Sequence, residues 1–227
     1  MNVFEELLSA SHALVAGATG SGKSVFLRGV IATALARPCY IAAVDLKRVE
    51  LAYLRRLGRL IAYADEPEQV EPLMTRLLAV MEGRFSSLLA AGRQMSDEPD
   101  IYVIIDELAD LIATSPDALP SLIRLGRLGR AARVHLICAT QAPARRNLPA
   151  ALVQNIPVRL ALRTTDAIES RQIIGVKGAE ALPLVGSGLL RTPSAANPIK
   201  ITGLPVMPTD QLIRLIDATN QIDGTRR

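Results

Sequence analysis

A glycine-rich stretch near the N-terminus carries the residue types that bind phosphate. Residues 17–24 read Gly-Ala-Thr-Gly-Ser-Gly-Lys-Ser and fit the pattern G-x-x-x-x-G-K-[ST] at every required position. Glycines let the backbone wrap closely around phosphate oxygens, and a following helix N-terminus adds positive potential. Lys23 would reach the β- and γ-phosphates of a nucleotide, and the Ser24 hydroxyl would hold Mg²⁺. The alternative is a flexible Gly/Ser loop that binds nothing.

The motif predicts a continuous run of nucleotide-contacting residues. They are Gly17, Ala18, Thr19, Gly20, Ser21, Gly22, Lys23, Ser24 and Val25.

Two adjacent carboxylates follow a short apolar run at 101–105. Nucleotide hydrolases place a metal ligand and a water-activating group in this arrangement. Asp106 would hold Mg²⁺, directly or through water, and Glu107 would orient and deprotonate the attacking water. Acidic residues also favour helix starts, so the alternative is a pair of helix-capping carboxylates.

Two further polar features have both a chemical and a structural interpretation. Gln141 ends the apolar run 134–140 and could sense the γ-phosphate, although polar residues commonly end strands. Arg124, Arg127, Arg130 and Arg133 recur every three residues. They form either a solvated helix face or a subunit edge that donates an arginine to a neighbour's nucleotide.

Apolar runs and helical periodicity alternate along the chain, which predicts one parallel α/β sheet. Predicted strands cover 12–17, 40–45, 59–63, 101–106, 134–140, 158–162, 188–191 and 199–202. Predicted helices cover 25–35, 66–92, 117–132 and 210–220, after a short lead-in at 1–11. Because ligands bind at the carboxyl ends of parallel strands, this topology brings Gly17, Asp106, Glu107 and Gln141 together.

Composition limits the possible classes. With 227 residues, 49% of them hydrophobic, the chain is predicted to form a single domain over 1–227, ending in a C-terminal helix and tail at 209–227. A net charge of +4 is compatible with a polyanionic partner, whereas 3% aromatic residues argue against a base-stacking surface. No apolar run is long enough to span a membrane, and Cys39 and Cys138 suit buried thiols, so we expect a cytoplasmic protein.

Taken together, the motifs resemble the FtsK/SpoIIIE family of DNA-translocating ATPases. The matching segments are 16–27, 45–51, 103–111, 129–136, 139–143, 155–159, 169–171 and 178–180. The resemblance implies a RecA-like P-loop NTPase core, with a mainly parallel twisted sheet flanked by helices. It also implies hexameric rings with ATP sites between subunits. Arg130 is then the first candidate for the arginine finger, ahead of Arg127, Arg133 and Arg171.

The resemblance has departures that bear on DNA binding. The family's preceding motor subdomain, membrane region and winged-helix domain are not expected in this chain. Ala142 and Val153 stand where the family usually has basic residues, in the segment expected to touch DNA. Arg145 and Arg146 in the same loop could restore that charge, since phosphate contacts need positive charge nearby. Alternatively, this loop is exposed and has no ligand.

The leading hypothesis is therefore an ATP-driven double-stranded DNA translocase that works as a homo-oligomeric ring. One alternative is a ring ATPase of the same fold for conjugative transfer, genome packaging or protein export. A second is a nucleotide-binding assembly module that is not a motor.

Overall fold

A computed structural model describes residues 2–141, 143 and 148–225 of the chain. Within these residues, eight strands form one sheet. The strands are β1 (Ala13–Ala16), β2 (Cys39–Val44), β3 (Leu60–Ala64), β4 (Asp100–Ile105), β5 (Val134–Thr140), β6 (Val158–Ala161), β7 (Ser187–Arg191) and β8 (Ile199–Thr202). Their order across the sheet is β3-β2-β4-β5-β1-β6-β7-β8.

The first six strands in this order, from β3 to β6, are parallel to one another. Strands β1, β4 and β5 are buried along their whole length, as expected for strands covered on both faces. β7 runs antiparallel to both β6 and β8, so the sheet is mainly parallel, as expected, with an antiparallel edge. The link at 192–198 is too short for the crossover that a parallel pair would need.

Helices cover both faces of the sheet. They are α1 (Val3–Ser9), α2 (Lys23–Leu35), α3 (Pro67–Ala91), α4 (Leu108–Thr114), α5 (Leu119–Leu128), α6 (Ala150–Val153), α7 (Ala167–Ile174) and α8 (Thr209–Thr225), with 3-10 turns at Ala52–Arg56, Pro116–Ala118 and Ala179–Ala181. Helices α1, α2 and α8 share one apolar core with the sheet, and α3, α4, α5 and α6 share the other. The two cores hold the carboxyl ends of the central strands in fixed positions.

The predicted helix at 117–132 is shorter than expected. Helix α5 ends at Leu128, and the chain turns back at once because the Val134 N–H donates to the Gly129 carbonyl at 2.9 Å. Arg133 in this turn has a positive φ of 54°. Arg130 and Arg133 therefore lie in a turn, and the four regularly spaced arginines do not share one helix face.

Candidate active site

The phosphate loop lies between β1 and α2, at the carboxyl edge of the sheet. Gly20 and Gly22 have φ values of 78° and 94°, which only glycine adopts without strain. A Cβ on Gly17 would lie 2.7 Å from the Ser21 Oγ and 2.9 Å from the Leu162 Cβ. Gly22 also precedes the first turn of α2, whose N–H groups are free of intrahelical partners. Backbone conformation therefore favours glycine at positions 20 and 22, and close packing against Ser21 and Leu162 favours it at position 17.

Lys23 lies across the loop. Its side chain is buried, and its Nζ donates to the Gly17 carbonyl at 3.1 Å. Burial lowers the pKa of this ammonium, while the negative charges of Glu107 and Asp106 oppose that effect. The ammonium is thus held on the loop, within the electrostatic influence of two carboxylates, where phosphate oxygens would meet it.

Asp106 follows β4 and is buried. Burial raises the pKa of this carboxyl to about 7, and the negative charges of Glu50, Asp45 and Glu107 add to the shift. A carboxylate and the Ser24 hydroxyl are hard oxygen donors of the kind that Mg²⁺ takes alongside phosphate and water, so the donor set fits this metal.

Glu107 is held by donors on several sides. The Thr140 Oγ1 donates to its Oε1 at 2.6 Å, and the Gln141 N–H lies 3.1 Å from Oε1 and 3.0 Å from Oε2. The Lys47 Nζ lies 3.6 Å from Oε2 and also contacts Asp110 at 3.3 Å. Although Glu107 precedes α4, its side chain makes no helix-capping hydrogen bond, which speaks against the capping alternative.

Gln141 connects the end of β5 to the phosphate loop. Its Oε1 accepts a hydrogen bond of 2.7 Å from the Thr19 hydroxyl. Because the backbone N–H of the same residue donates to Glu107, Gln141 joins the phosphate loop to the carboxylate. The structure brings Lys23, Glu107, Gln141, Asp106 and Ser24 to one edge, where the sequence predicted them.

The sequence matches the FtsK/SpoIIIE family over residues 2–98 and 86–145. The chain belongs to the FtsK/SpoIIIE family. It is 32% identical over 241 residues to a DNA translocase FtsK from Tropheryma whipplei (strain TW08/27), covering 95% of this chain and 32% of that protein. The chain thus spans about a third of the length of that relative.

Solved structures show the same fold. The pCW3 conjugation coupling protein TcpA, in its monomer form with ATPγS, is 25% identical with a TM-score of 0.83, over 97% of this chain and 66% of that one. The cytoplasmic domain of the Thermomonospora curvata type VII secretion ATPase EccC is 26% identical with a TM-score of 0.76, over 92% of this chain and 28% of that one. The predicted P-loop ATPase fold is confirmed.

Lys47, which contacts Glu107, lies in a turn that the buried side chain of Asp45 stabilises. The Asp45 Oδ2 accepts the Leu51 N–H at 2.8 Å and the Tyr63 hydroxyl at 3.2 Å. These bonds fix the turn after β2, in which Arg48 has a φ of 60°. The turn places Lys47 against Glu107. Asp45 therefore acts on the site through the conformation of this turn.

Arg130 and Arg133, two of the candidate finger arginines, lie away from the phosphate loop of their own chain. Arg130 is exposed in the turn before β5, whose seven residues extend about 20 Å to Gln141. Arg133, in the same turn, is bound at both guanidinium ends to Asp100, at 2.9 and 2.8 Å. Arg127 on α5 and Arg171 on α7 are exposed. Arg130 therefore remains the better candidate of the two in this turn.

Asp100 anchors the amino end of β4. Although burial opposes the shift, hydrogen bonds from His135 and Arg133 lower the pKa of this carboxyl to about 2. The His135 Nε2 lies 2.9 Å from Asp100, and its Nδ1 lies 3.0 Å from the Ser11 carbonyl. His135 is therefore a structurally satisfied histidine.

The remaining sequence predictions have mixed outcomes. Arg145 and Arg146 lie outside the described residues. Cys39 and Cys138 are buried free thiols, as predicted, and burial raises their pKa values to about 11 and 12. In the part of the chain that the structure describes, no helix combines the length and apolarity needed to cross a membrane.

Proposed function

We propose that residues 1–227 act as a single motor domain of an ATP-driven double-stranded DNA translocase in the cytoplasm. The observation that carries this proposal is the carboxylate of Glu107. It contacts Thr140, Gln141 and Lys47 at the same edge of the sheet as a complete phosphate loop. Membership of the FtsK/SpoIIIE family supports DNA as the cargo. The relative from Tropheryma whipplei carries the name DNA translocase.

Each residue of the site has a role in hydrolysis. The loop 17–25 binds the phosphates, and Lys23 neutralises charge on the β- and γ-oxygens. Ser24 and Asp106 would hold Mg²⁺, which supplies Lewis-acid charge on the phosphates. Glu107, which accepts hydrogen bonds from Thr140 and Gln141, would orient the attacking water and take its proton. Gln141 senses the γ-phosphate.

The proposed active unit is a hexameric ring. Arg130 lies about 20 Å from its own chain's Gln141 along β5, so it can act only on the ATP of a neighbouring subunit. There its guanidinium would stabilise charge that develops on the γ-phosphate. Since Gln141 touches the loop through Thr19, a change in the γ-phosphate reaches the chain immediately before 142–147. Arg145 and Arg146, within that segment, would contact the DNA backbone.

The experiment that tests this function is steady-state ATP hydrolysis with and without linear double-stranded DNA, over a range of salt concentrations. We expect DNA to stimulate hydrolysis, and the stimulation to fall as salt rises because phosphate contacts release counterions. Replacing Arg145 and Arg146 by alanine should remove the stimulation and leave the basal rate. Glu107→Gln should remove hydrolysis in both conditions and serves as the control for contaminating ATPases.

Similarity to the EccC secretion ATPase favours protein transport as a second candidate function. In that case hydrolysis would be robust and indifferent to DNA at all salt concentrations. A chain without hydrolysis in any condition, and monomeric with and without nucleotide, would instead support an assembly module. The same assay, with a size measurement, therefore separates the three hypotheses.

A further inference from the structure

A buried arginine on helix α3 donates hydrogen bonds to the turn that carries Arg130. Arg84 is only 4% exposed, and its guanidinium contacts both the chain entering β4 and the chain entering β5. Its Nη1 donates to the Ala132 carbonyl at 2.7 Å, and the Arg133 carbonyl lies 3.4 Å from the same nitrogen. Its Nη2 donates to the Pro99 carbonyl at 2.9 Å. One side chain therefore ties the amino ends of two neighbouring strands to α3.

Burial of this guanidinium makes its hydrogen-bond partners important. The hydrogen bonds to water that Arg84 loses on burial have to be replaced, and the three carbonyls replace them in part. The Nε of Arg84 lies 3.4 Å from the Glu98 carboxylate. Ala132 is itself buried, and among the described residues Arg84 is the one side chain that donates to its carbonyl. Without the guanidinium, this carbonyl would lose its side-chain donor in a place that water does not reach.

The direction of the Arg130 side chain depends on the backbone of this turn. The Arg133 N–H donates to the Arg130 carbonyl at 3.1 Å, and the Ser96 N–H donates to the Ala131 carbonyl at 2.9 Å. Arg133 has a φ of 54°, which a residue other than glycine keeps only when its surroundings hold it. Arg130 is exposed, and within the described ranges its guanidinium has no hydrogen bond or ion pair. The contacts that fix the turn therefore also aim Arg130.

We propose that Arg84 is a positioning residue for Arg130, because it fixes the turn from which Arg130 reaches the nucleotide of a neighbouring subunit. The inference rests on the proposed function, in which Arg130 acts across a subunit interface. Such an arginine needs accurate placement, since a displacement of about 1 Å can cost about a hundredfold in rate. The hydrogen-bond and ion-pair partners of Arg84 named above lie outside the phosphate loop of its own chain. Loss of Arg84 should therefore impair the neighbouring site and spare nucleotide binding by its own subunit.

Steady-state ATP hydrolysis by Arg84→Met tests this proposal, with Arg76→Met as the matched control. Methionine keeps a long side chain and removes the guanidinium, and Arg76 is exposed on the same helix. We expect kcat to fall about tenfold to a hundredfold in Arg84→Met and to stay unchanged in Arg76→Met. ADP affinity, measured by calorimetry, should not change in either variant. Arg84→Lys keeps the charge but lacks the planar fork that spans two carbonyls, so its kcat should lie between those of Arg84→Met and the unaltered protein.

Mixing experiments distinguish a misplaced arginine from general damage to the fold. When Arg84→Met is mixed with Glu107→Gln, an intact Glu107 of one subunit can meet a correctly placed Arg130 of the other. Hydrolysis should then rise above that of either variant alone. When Arg84→Met is mixed with Arg130→Ala, neither subunit supplies a correctly placed arginine, so hydrolysis should not rise. Arg84→Lys should show the same pattern, and it takes the place of Arg84→Met if that variant does not fold.

The outcomes separate the role of Arg84 from the proposed ring. An unchanged kcat in Arg84→Met, or in Arg84→Lys if only that variant folds, would overturn the inference. A loss of ADP affinity that accompanies the loss of rate would also overturn it, as would equal hydrolysis in the two mixtures. If Arg130→Ala mixed with Glu107→Gln stayed inactive, the arginine supplied by a neighbour would fail, and the role of Arg84 with it. Recovery in that mixture without recovery for Arg84→Met would remove the positioning role alone.

Discussion

The hydrogen bond from Thr140 to Glu107 offers a direct test of how the carboxylate is prepared for catalysis. The Thr140 side chain is fully buried, and its Oγ1 lies 2.6 Å from the carboxylate. Thr140→Val keeps the shape and removes the hydroxyl, while Thr140→Ser keeps the hydroxyl and removes a methyl group. Glu107 would keep the Gln141 N–H and Lys47 as partners in both variants.

The expected magnitude follows from the strength of this bond. A hydrogen bond to a charged group contributes about 1.5–3 kcal/mol, which corresponds to roughly 10- to 150-fold in rate if all of it orients the base. A positioned general base contributes about 10²–10⁴-fold in total, which sets the upper limit. Because two other groups still hold the carboxylate, we expect kcat to fall about tenfold to fiftyfold in Thr140→Val.

The assay is ATP hydrolysis at saturating ATP, with ADP affinity measured separately. We expect a lower kcat in Thr140→Val with unchanged ADP affinity, and a rate close to that of the unaltered protein in Thr140→Ser. An unchanged rate in Thr140→Val would refute the view that this bond orients Glu107. A faster rate would show the opposite effect, in which Thr140 restrains the carboxylate in an unproductive position.

Three further predictions concern other parts of the fold. Gly22→Ala forces a side chain onto a φ of 94° and should lower the free energy of unfolding in urea by about 1–2 kcal/mol. Gly83→Ala lies within α3, where a Cβ meets nothing, and should raise that free energy by about 0.5–1 kcal/mol. Equal effects of the two substitutions would contradict the strain argument. Burial, with the charge of His135 as a smaller cause, lowers the pKa of His12 to about 4, so the neutral ring is favoured in the folded state. The free energy of unfolding that the neutral His12 ring contributes is fully present above pH 6.5, and about 3 kcal/mol of it is lost as pH falls to 4. His12→Asn should therefore flatten the fall in stability between pH 6.5 and 4. An unchanged slope in urea unfolding over this range would contradict the assignment to His12. Mixing inactive Arg130→Ala with inactive Glu107→Gln should restore part of the ATP hydrolysis. At some interfaces between the two variants, an intact Glu107 of one subunit then meets an intact Arg130 of the other. No recovery of hydrolysis would argue against an arginine supplied by a neighbouring subunit.

The sequence predicted which residues lie together at the carboxyl edge of the sheet, because the signals for their positions are local. The phosphate loop is a continuous motif, and the strands that end in Asp106 and Gln141 are uninterrupted apolar runs. Parallel topology then brings their carboxyl ends together without further information. Helix α7 was missed although it has a readable start: Asp166 accepts the N–H groups of Ile168 and Glu169, both at 2.8 Å.

Other features depend on tertiary contacts that no local pattern encodes. Lys47 reaches Glu107 only because Asp45 folds the intervening turn, and a charged loop residue gives no sign of such a contact. An apolar cavity of about 230 Å³ beside Gly22 is lined by residues near 185 and 205, which are far away in the sequence. The end of α5 at Leu128 is imposed by the return of the chain into β5, which overrides its helical periodicity.

Strand β5 gives the proposed ring a physical link between successive sites. It is buried along its whole length and paired with β1 on one side and β4 on the other, so its two ends move as one body. In the proposed site its carboxyl end would supply Thr140 and Gln141 to one nucleotide, and the turn before its amino end carries Arg130. In the proposed ring this geometry requires head-to-tail contacts, in which each subunit uses different faces toward its two neighbours. A shift of Gln141 on γ-phosphate release would then displace the arginine offered to the next site, so adjacent sites would not hydrolyse ATP independently.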